Sequence, residues 1–479
     1  MSLKQKALSG VIWSAAERFS VQGIQFILSF VIARQLLPSD YGLIAMLTIF
    51  MAIAQAFIDS GFSNALIQKQ SCSQTDYSTV FYFNIIIGLL VYIILVLFSP
   101  LIASFYDQPI LKTIIAWVGL NLIVSSFSTV QRAILTIELK FKKQAVIALI
   151  SVIISGSIAV YMAYRGCGVW TLVAQGLING FVNVFLLWVT TKWMPSLEFS
   201  FKSFRQLFTF GSKILASGLL HTLYVNLYTL VIGKVYPVYE LGLYNRAYST
   251  ACYPSQNVVG LLNKVVYPVM CKFQNDDTTL SEKFTLFVRL TVFFVFPMMI
   301  GLASLSEPII HLTLTEKWLG CVPYIQILCV AYMWDPIMNF SCGLINSRGR
   351  SDYYLKAELI KKIAAAVILC VTIPMGLKIM CAGLVVYSFV DMIIITRYTK
   401  KIIPSINLKN LLVIVFPILC QSILMGVIVY SVNLFLFENL YLKIFGGLIV
   451  GVISYFMLSL IFSKSTLKEL FSLISINRK

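Results

Sequence analysis

Apolar runs long enough to cross a bilayer as a helix, about 20 residues, recur along the whole of this chain with short polar joints between them. Fourteen such segments can be marked, at roughly 10–33, 42–67, 79–104, 111–136, 145–164, 169–191, 209–234, 241–267, 286–306, 323–346, 355–375, 379–398, 408–433 and 441–463. No joint exceeds about 18 residues, which leaves no room for a soluble domain. The pattern predicts an all-α integral membrane protein of about 14 transmembrane helices. Segments 8 and 10 carry polar residues and an internal proline, Pro254 and Pro336. A helix lining a cavity tolerates that better than one facing lipid.

One joint occurs twice, about 200 residues apart. Val31-Ile32-Ala33-Arg34-Gln35-Leu36-Leu37-Pro38-Ser39-Asp40-Tyr41-Gly42-Leu43 and Val231-Ile232-Gly233-Lys234-Val235-Tyr236-Pro237-Val238-Tyr239-Glu240-Leu241-Gly242-Leu243 each end an apolar run on a basic residue. Each then turns through a proline and an acid and resumes at Gly-Leu. A repeat at matching places points to two similar bundles, segments 1 to 6 and 7 to 12, related by an axis along the membrane normal. Pro38 is expected to match Pro237, and Gly42 to match Gly242, at the outer turn. The predicted boundaries are 1–191 for the first six-helix bundle, 192–205 for a cytoplasmic linker, 206–402 for the second bundle, and 403–479 for an extra helix pair and tail.

Composition agrees: 59% of residues are hydrophobic, 12% are charged and the mean hydropathy is +0.87. The net charge of +18 does not indicate nucleic acid, because the basic residues lie singly or in short groups between apolar runs, with no nucleic-acid-reading motif. With the N-terminus inside, about 24 of the 37 Lys and Arg fall on the cytoplasmic side and about seven outside, as the positive-inside rule requires. Both termini are therefore expected in the cytoplasm, with the first segment acting as a signal anchor. The ten cysteines show no Cys-x-x-Cys spacing and read as small packing residues, so neither a metal nor another cofactor is expected.

Charge inside a bilayer is costly, about 2.5 to 3.5 kcal/mol per residue on insertion scales, so intramembrane charges usually face a bundle interior. Here the polar residues fall in helical rhythm. Segment 1 carries Ser14, Arg18, Gln22, Gln25 and Ser29 on one face, and segment 2 carries Thr48, Gln55, Asp59 and Ser63. Segment 7 has Lys213, Ser217, His221, Tyr224 and Tyr228, and segment 8 adds Asn245, Arg246, Tyr253, Gln256, Asn257 and Lys264. Lys213, Lys264, Arg289 and Arg132 stand close enough to cytoplasmic ends to snorkel, whereas Arg18, Asp59 and Asp335 lie deeper. Trp170, Trp188, Trp193 and Trp318 are expected at membrane interfaces. A basic cavity with rows of amides and hydroxyls suits a diphosphate that bears sugars, since Arg pairs with phosphate oxygens and amides exchange hydrogen bonds with hydroxyls. No phosphate loop, histidine cluster or external loop with paired carboxylates is present, so the chain reads as a transporter and not an enzyme, driven by an ion gradient, membrane potential or the substrate gradient.

Several stretches resemble the Wzx-type polysaccharide flippases of the MOP exporter superfamily, in the colanic-acid exporter-like branch. They are Gly10-Val11-Ile12-Trp13, the Ala33 to Gly42 turn, Asp59-Ser60-Gly61-Phe62-Ser63-Asn64-Ala65-Leu66-Ile67-Gln68-Lys69, Phe105-Tyr106 with Pro109, Gly168-Val169-Trp170-Thr171-Leu172-Val173, and Leu241-Gly242-Leu243-Tyr244-Asn245-Arg246-Ala247-Tyr248. The resemblance implies a MATE-like fold of two pseudo-symmetric six-helix bundles around a cationic central cavity, with two extra C-terminal helices. It also implies a bacterial inner-membrane protein that flips undecaprenyl-diphosphate-linked oligosaccharide to the periplasmic leaflet by alternating access, for O-antigen, capsule or exopolysaccharide synthesis. Its partners would be a polysaccharide polymerase and a chain-length regulator. Related lipid II flippases hold the diphosphate with arginines, and Arg18 and Arg246 are the equivalents by position. Segment 2 departs from that pattern, with Gln55 and Asp59 where an arginine is expected. The candidate substrate-binding residues are thus Arg18, Gln22, Gln25, Gln55, Asn245 and Arg246, with Asp59 and Asp335 for ion coupling or charge pairing. The competing functions are a cation-coupled multidrug extruder, which favours an acidic aromatic cavity, and a membrane glycosyltransferase or polymerase, which needs an acidic catalytic site.

Overall fold

All regular structure among the described residues is helical. The computed structural model describes residues 20–59, 62, 66, 72–436, 438–464 and 466–470, without the side chains of Asp59 and of residues 206, 207, 209–214, 216–218, 220, 221 and 224. Nine helical stretches among these residues are long and apolar enough to cross a membrane, and a bent pair makes a tenth if it is one span. The chain is a multi-pass membrane protein.

Contacts divide it after Gly242. The first unit holds α1 (20–35), α2 (Pro38–Asp59), α3 (Gln74–Phe105), α4 (Leu111–Ser126), α5 (Thr129–Ile137), α6 (Phe141–Tyr164), α7 (Trp170–Thr191), α8 (Phe201–Val235) and the first residues of α9 (Val238–Lys272). α8 packs on α2 and α3, so this unit extends beyond the first six predicted segments. α4 and α5 are the bent pair, meeting at 41°. Neither proline nor glycine stands at that bend. Instead Ser125, Ser126 and Ser128 donate their hydroxyls to the carbonyls of Leu122, Ile123 and Ser125 at 3.0, 2.7 and 2.7 Å. Such back-bonding competes with the helical ladder and is a recognised cause of bending.

α3 begins with a capping box, in which the Ser73 hydroxyl accepts from Asp76 N–H at 3.2 Å and Asp76 accepts from Ser73 N–H at 2.9 Å. Its first turns then anchor the joint after α7. Gln74 accepts from Trp193 Nε1 at 2.8 Å and donates to the Met194 carbonyl at 2.7 Å. Ser196 and Ser200 N–H groups donate to Ser78 and Thr79 at 2.9 and 3.0 Å. Residues 201–205, read as linker from the sequence, are the first turn of α8, because the Ser200 hydroxyl caps it by accepting from Ser203 N–H.

The repeated turn places its two copies in direct contact. Leu37 N–H donates to Asp40 at 2.9 Å where α2 opens. Gly42 packs on the Val238 carbonyl and Gly242 packs on the Pro38 carbonyl, each so closely that a Cβ would collide with the opposing oxygen. Glycine is needed at both positions for this approach. The helix register pairs Pro38 with Val238, four residues before each glycine, and Pro237 stands one residue earlier than expected.

The second unit continues α9 and adds α10 (Asp277–Ser304), α11 (Ser306–Leu314), α12 (Val322–Tyr332), α13 (Asp335–Ser347), α14 (Ser351–Thr372), α15 (Leu377–Ile402), α16 (Leu408–Phe435) and α17 (Leu440–Phe462). Short 3₁₀ turns at Glu316–Cys321 and Ile373–Met375 precede α12 and α15. The last two helices dock on α10 through a buried polar chain. Ser463 donates to Gln421 at 3.0 Å, Gln421 to Tyr455 at 2.8 Å and Tyr455 to the Phe293 carbonyl at 2.7 Å. The segment after α17 is tied back to α10 by the Arg289–Glu469 pair at 2.8 Å.

Candidate functional site

Among the described residues of the first unit, those singled out lie on α1, α2 and α8. Arg18 falls outside the described residues, as does the side chain of Asp59. Gln22 and Gln25 are exposed on α1, and Ser29 bonds within its own helix to the Phe26 carbonyl at 2.8 Å. Gln55 is half-buried on α2, and its amide oxygen accepts from Ser125 at 3.2 Å. Lys213, Ser217, His221 and Tyr224 belong to α8, but their side chains are outside the description.

Ser125 leads to a feature that the sequence reading did not mark. A cavity of about 320 Å³ opens at the α4–α5 bend and along α7, lined by Asn121, Ser125, Arg132, Asn179, Gly180 and Asn183 among others. The Arg132 guanidinium donates to Asn183 Oδ1 at 2.9 Å, so a partner helix orients it. Gly180 leaves room for the Asn121 side chain, whose Oδ1 would have to shift if a Cβ were added there. Gly176, Asn179, Gly180 and Asn183 follow i, i+3, i+4, i+7 spacing. That small and amide-bearing face is legible in the sequence once α7 is placed.

In the second unit Arg246 is 8% exposed, with its guanidinium carbon 6.0 Å from the centre of the Trp318 ring. Trp318, expected at a membrane interface, is instead fully buried, because the turn before α12 folds it inward beside this cation. Asn245 is half-buried one residue away, and its carbonyl accepts from Ser249 at 2.9 Å. Asp335 opens α13 with Pro336 behind it, and its carbonyl accepts from Asn339 at 3.0 Å. Proline is thus at a helix start, where its missing N–H costs nothing, and not in mid-helix as expected.

A second charge centre also went unmarked in the sequence. Lys361 on α14, with a side chain only 7% exposed, meets Glu358 at 2.6 Å and Asp391 of α15 at 3.0 Å. Lys361 is ten residues from Ser351 and Asp391 eleven from Ile402, so both lie about 15 Å inside their helices at 1.5 Å per residue. Glu358 and Lys361 stand at i, i+3 on one helix, but Asp391 is a lone charge in an apolar run, so its pairing with Lys361 became visible only when α14 packed on α15. Among the described residues no group of three or more His, Cys, Asp or Glu is placed to hold a metal ion.

Comparison with known proteins gives this geometry a setting. Residues 31–323 match the family described as "Polysaccharide biosynthesis protein". The lipopolysaccharide biosynthesis protein WzxC of Escherichia coli is 27% identical over 363 residues, 75% of this chain and 74% of that protein. The teichuronic acid biosynthesis protein TuaB of Bacillus subtilis is 24% identical over 438 residues, 90% of each. Among solved structures, the lipid II flippase MurJ in an inward closed conformation gives a TM-score of 0.77 at 17% identity, covering 95% of this chain and 100% of that one. An inward-facing multidrug resistance MATE family transporter of the MOP superfamily gives 0.64 at 11% identity, covering 83% and 98%. At these identities the two structures establish a shared fold.

Proposed function

The chain belongs to the polysaccharide biosynthesis protein family, and from that premise we propose that it flips a lipid-linked oligosaccharide across the bacterial inner membrane. The substrate class is undecaprenyl-diphosphate-linked repeat units, carried from the cytoplasmic to the periplasmic leaflet by alternating access, with both termini in the cytoplasm and fourteen helices crossing the bilayer. The observation that carries this reading is Arg246, a cation held 8% exposed within a membrane protein and set beside the Trp318 ring. Buried cations in membrane proteins usually face a bundle interior or a cavity and mark substrate or ion pathways. A diphosphate leaving the headgroup region needs that compensation, and a charge-assisted hydrogen bond contributes about 1.5 to 3 kcal/mol.

In this reading Arg18 and Arg246 hold the diphosphate while Gln22, Gln25, Gln55 and Asn245 meet sugars. Asp59 and Asp335 serve coupling or charge pairing, and a polymerase and a chain-length regulator receive the product. The test is flipping of lipid-linked oligosaccharide in proteoliposomes, scored by access of the glycan to an added glycosidase. Arg246→Gln is expected to slow flipping about ten- to hundredfold at equal protein level, from the energy of one charge-assisted bond. Arg246→Lys should rescue only part of the rate, because it lacks the planar fork. Normal flipping by Arg246→Gln would remove it from the substrate path. Equal flipping in liposomes lacking the protein would end the functional reading.

A further inference from the structure

The cavity at the α4–α5 bend is polar although α4 and α7, which line it, are otherwise apolar helices. Three asparagines, two serines and an arginine converge there from α4, α5, the joint between them and α7. Asn121 Oδ1 is buried with no hydrogen-bond partner. An acceptor left in that state costs stability, and in native proteins it usually has a use. The surrounding chemistry identifies the missing donor. Asn179 and Asn183 each present an amide that both donates and accepts, Ser125 presents a hydroxyl, and Arg132 is locked on Asn183 at 2.9 Å. A lining of paired donors and acceptors with one restrained cation does not suit an acyl chain or an organic cation. It suits a polyol.

Shape points the same way. Gly176 and Gly180 keep the α7 wall bare, and the serine-driven bend of 41° turns α5 away from α4, opening the space between them. The resulting volume of about 320 Å³ is within the range of small-ligand sites. Ser125 joins the cavity to Gln55 of α2 at 3.2 Å, so the row of neutral polar groups runs from α2 through the bend to α7.

We propose that this cavity is a glycan subsite, in which Asn121, Asn179 and Asn183 exchange hydrogen bonds with the ring hydroxyls of a sugar residue of the substrate, and Arg132 fixes the orientation of Asn183. The proposal rests on the flippase reading and adds to it a place, within the first unit alone, where the sugar is recognised separately from the diphosphate.

The experiment measures binding to the full-length protein in nanodiscs with two probes: undecaprenyl diphosphate bearing the native repeat unit, and undecaprenyl diphosphate bearing no sugar. Asn179→Leu and Asn121→Leu keep roughly the side-chain volume and remove both the amide donor and the carbonyl acceptor, and melting temperature identifies any variant that misfolds. Each should weaken the glycosylated lipid about three- to tenfold, the range for one neutral hydrogen bond, and leave the bare lipid unchanged. Asn183→Leu, which also removes the Arg132–Asn183 bond, should do the same to a greater degree. As the control, Arg246→Gln should weaken both lipids alike. If the asparagine variants bind both lipids as the wild type does, the subsite is wrong while the flippase reading stands. A wild-type protein that binds neither lipid overturns both. Equal loss of both lipids in the asparagine variants assigns the cavity to the diphosphate and overturns the glycan assignment.

Discussion

The two units keep polar groups between their helices by different means. In the first, the α4–α5–α7 cavity is built from neutral amides and hydroxyls around one arginine bonded to an asparagine. In the second, α14 and α15 bury full charges, Lys361 against Glu358 and Asp391. Neutral groups tolerate an unfilled bond at modest cost, so such a site can wait for a ligand and release it. A buried ion pair tolerates no such vacancy, because losing one partner leaves an uncompensated charge in low dielectric. The first arrangement fits exchange with a substrate, and the second fits holding two helices in register.

The largest expected effect tests the second half of that contrast. Lys361→Met should destabilise the detergent-purified protein by about 3 to 5 kcal/mol, the usual cost of breaking a buried pair from one side. Adding Asp391→Asn should recover most of the loss in thermal unfolding. If the single and double variants melt alike, the cluster is not a compensated pair and the contrast fails.

The repeated turn tests whether close packing between its copies is used in transport. Gly42→Val or Gly242→Val places a side chain where the Val238 or Pro38 carbonyl lies. Overpacking of this kind costs about 1 to 3 kcal/mol, enough to shift a two-state equilibrium about five- to 150-fold. The contact should open, raising maleimide labelling of a cysteine placed at Tyr239 and lowering flipping. Unchanged labelling would show that the turns do not need this approach.

The smallest effect belongs to the Arg289–Glu469 pair, whose side chains are 25% and 39% exposed. Glu469→Ala should cost no more than about 1 kcal/mol, because partly hydrated pairs gain little over water. A larger fall in melting temperature would mean that the tail carries more of the second unit's stability than its chemistry suggests.

The fold class was legible because membrane helices announce themselves by length and apolarity, a local property that needs no partner. The repeat was legible for a similar reason, since Gly42 and Gly242 recur in nearly identical surroundings. Sequence could not show why those glycines are there, because each is explained by a carbonyl about 200 residues away. Gln55, Asn245, Arg246 and Asp335 were visible as polar residues out of place, yet their burial and partners were not. Trp318 was misplaced at an interface because an aromatic near a segment end looks the same whether it faces headgroups or folds inward. The α4–α5 bend was invisible for want of a proline, since three serine hydroxyls do the work through bonds that any exposed serine can also make to water. Residue type and spacing along one helix are set by the sequence alone. Which face meets which, and therefore which amide lines a cavity and which lysine finds its carboxylate, is decided only when the helices pack.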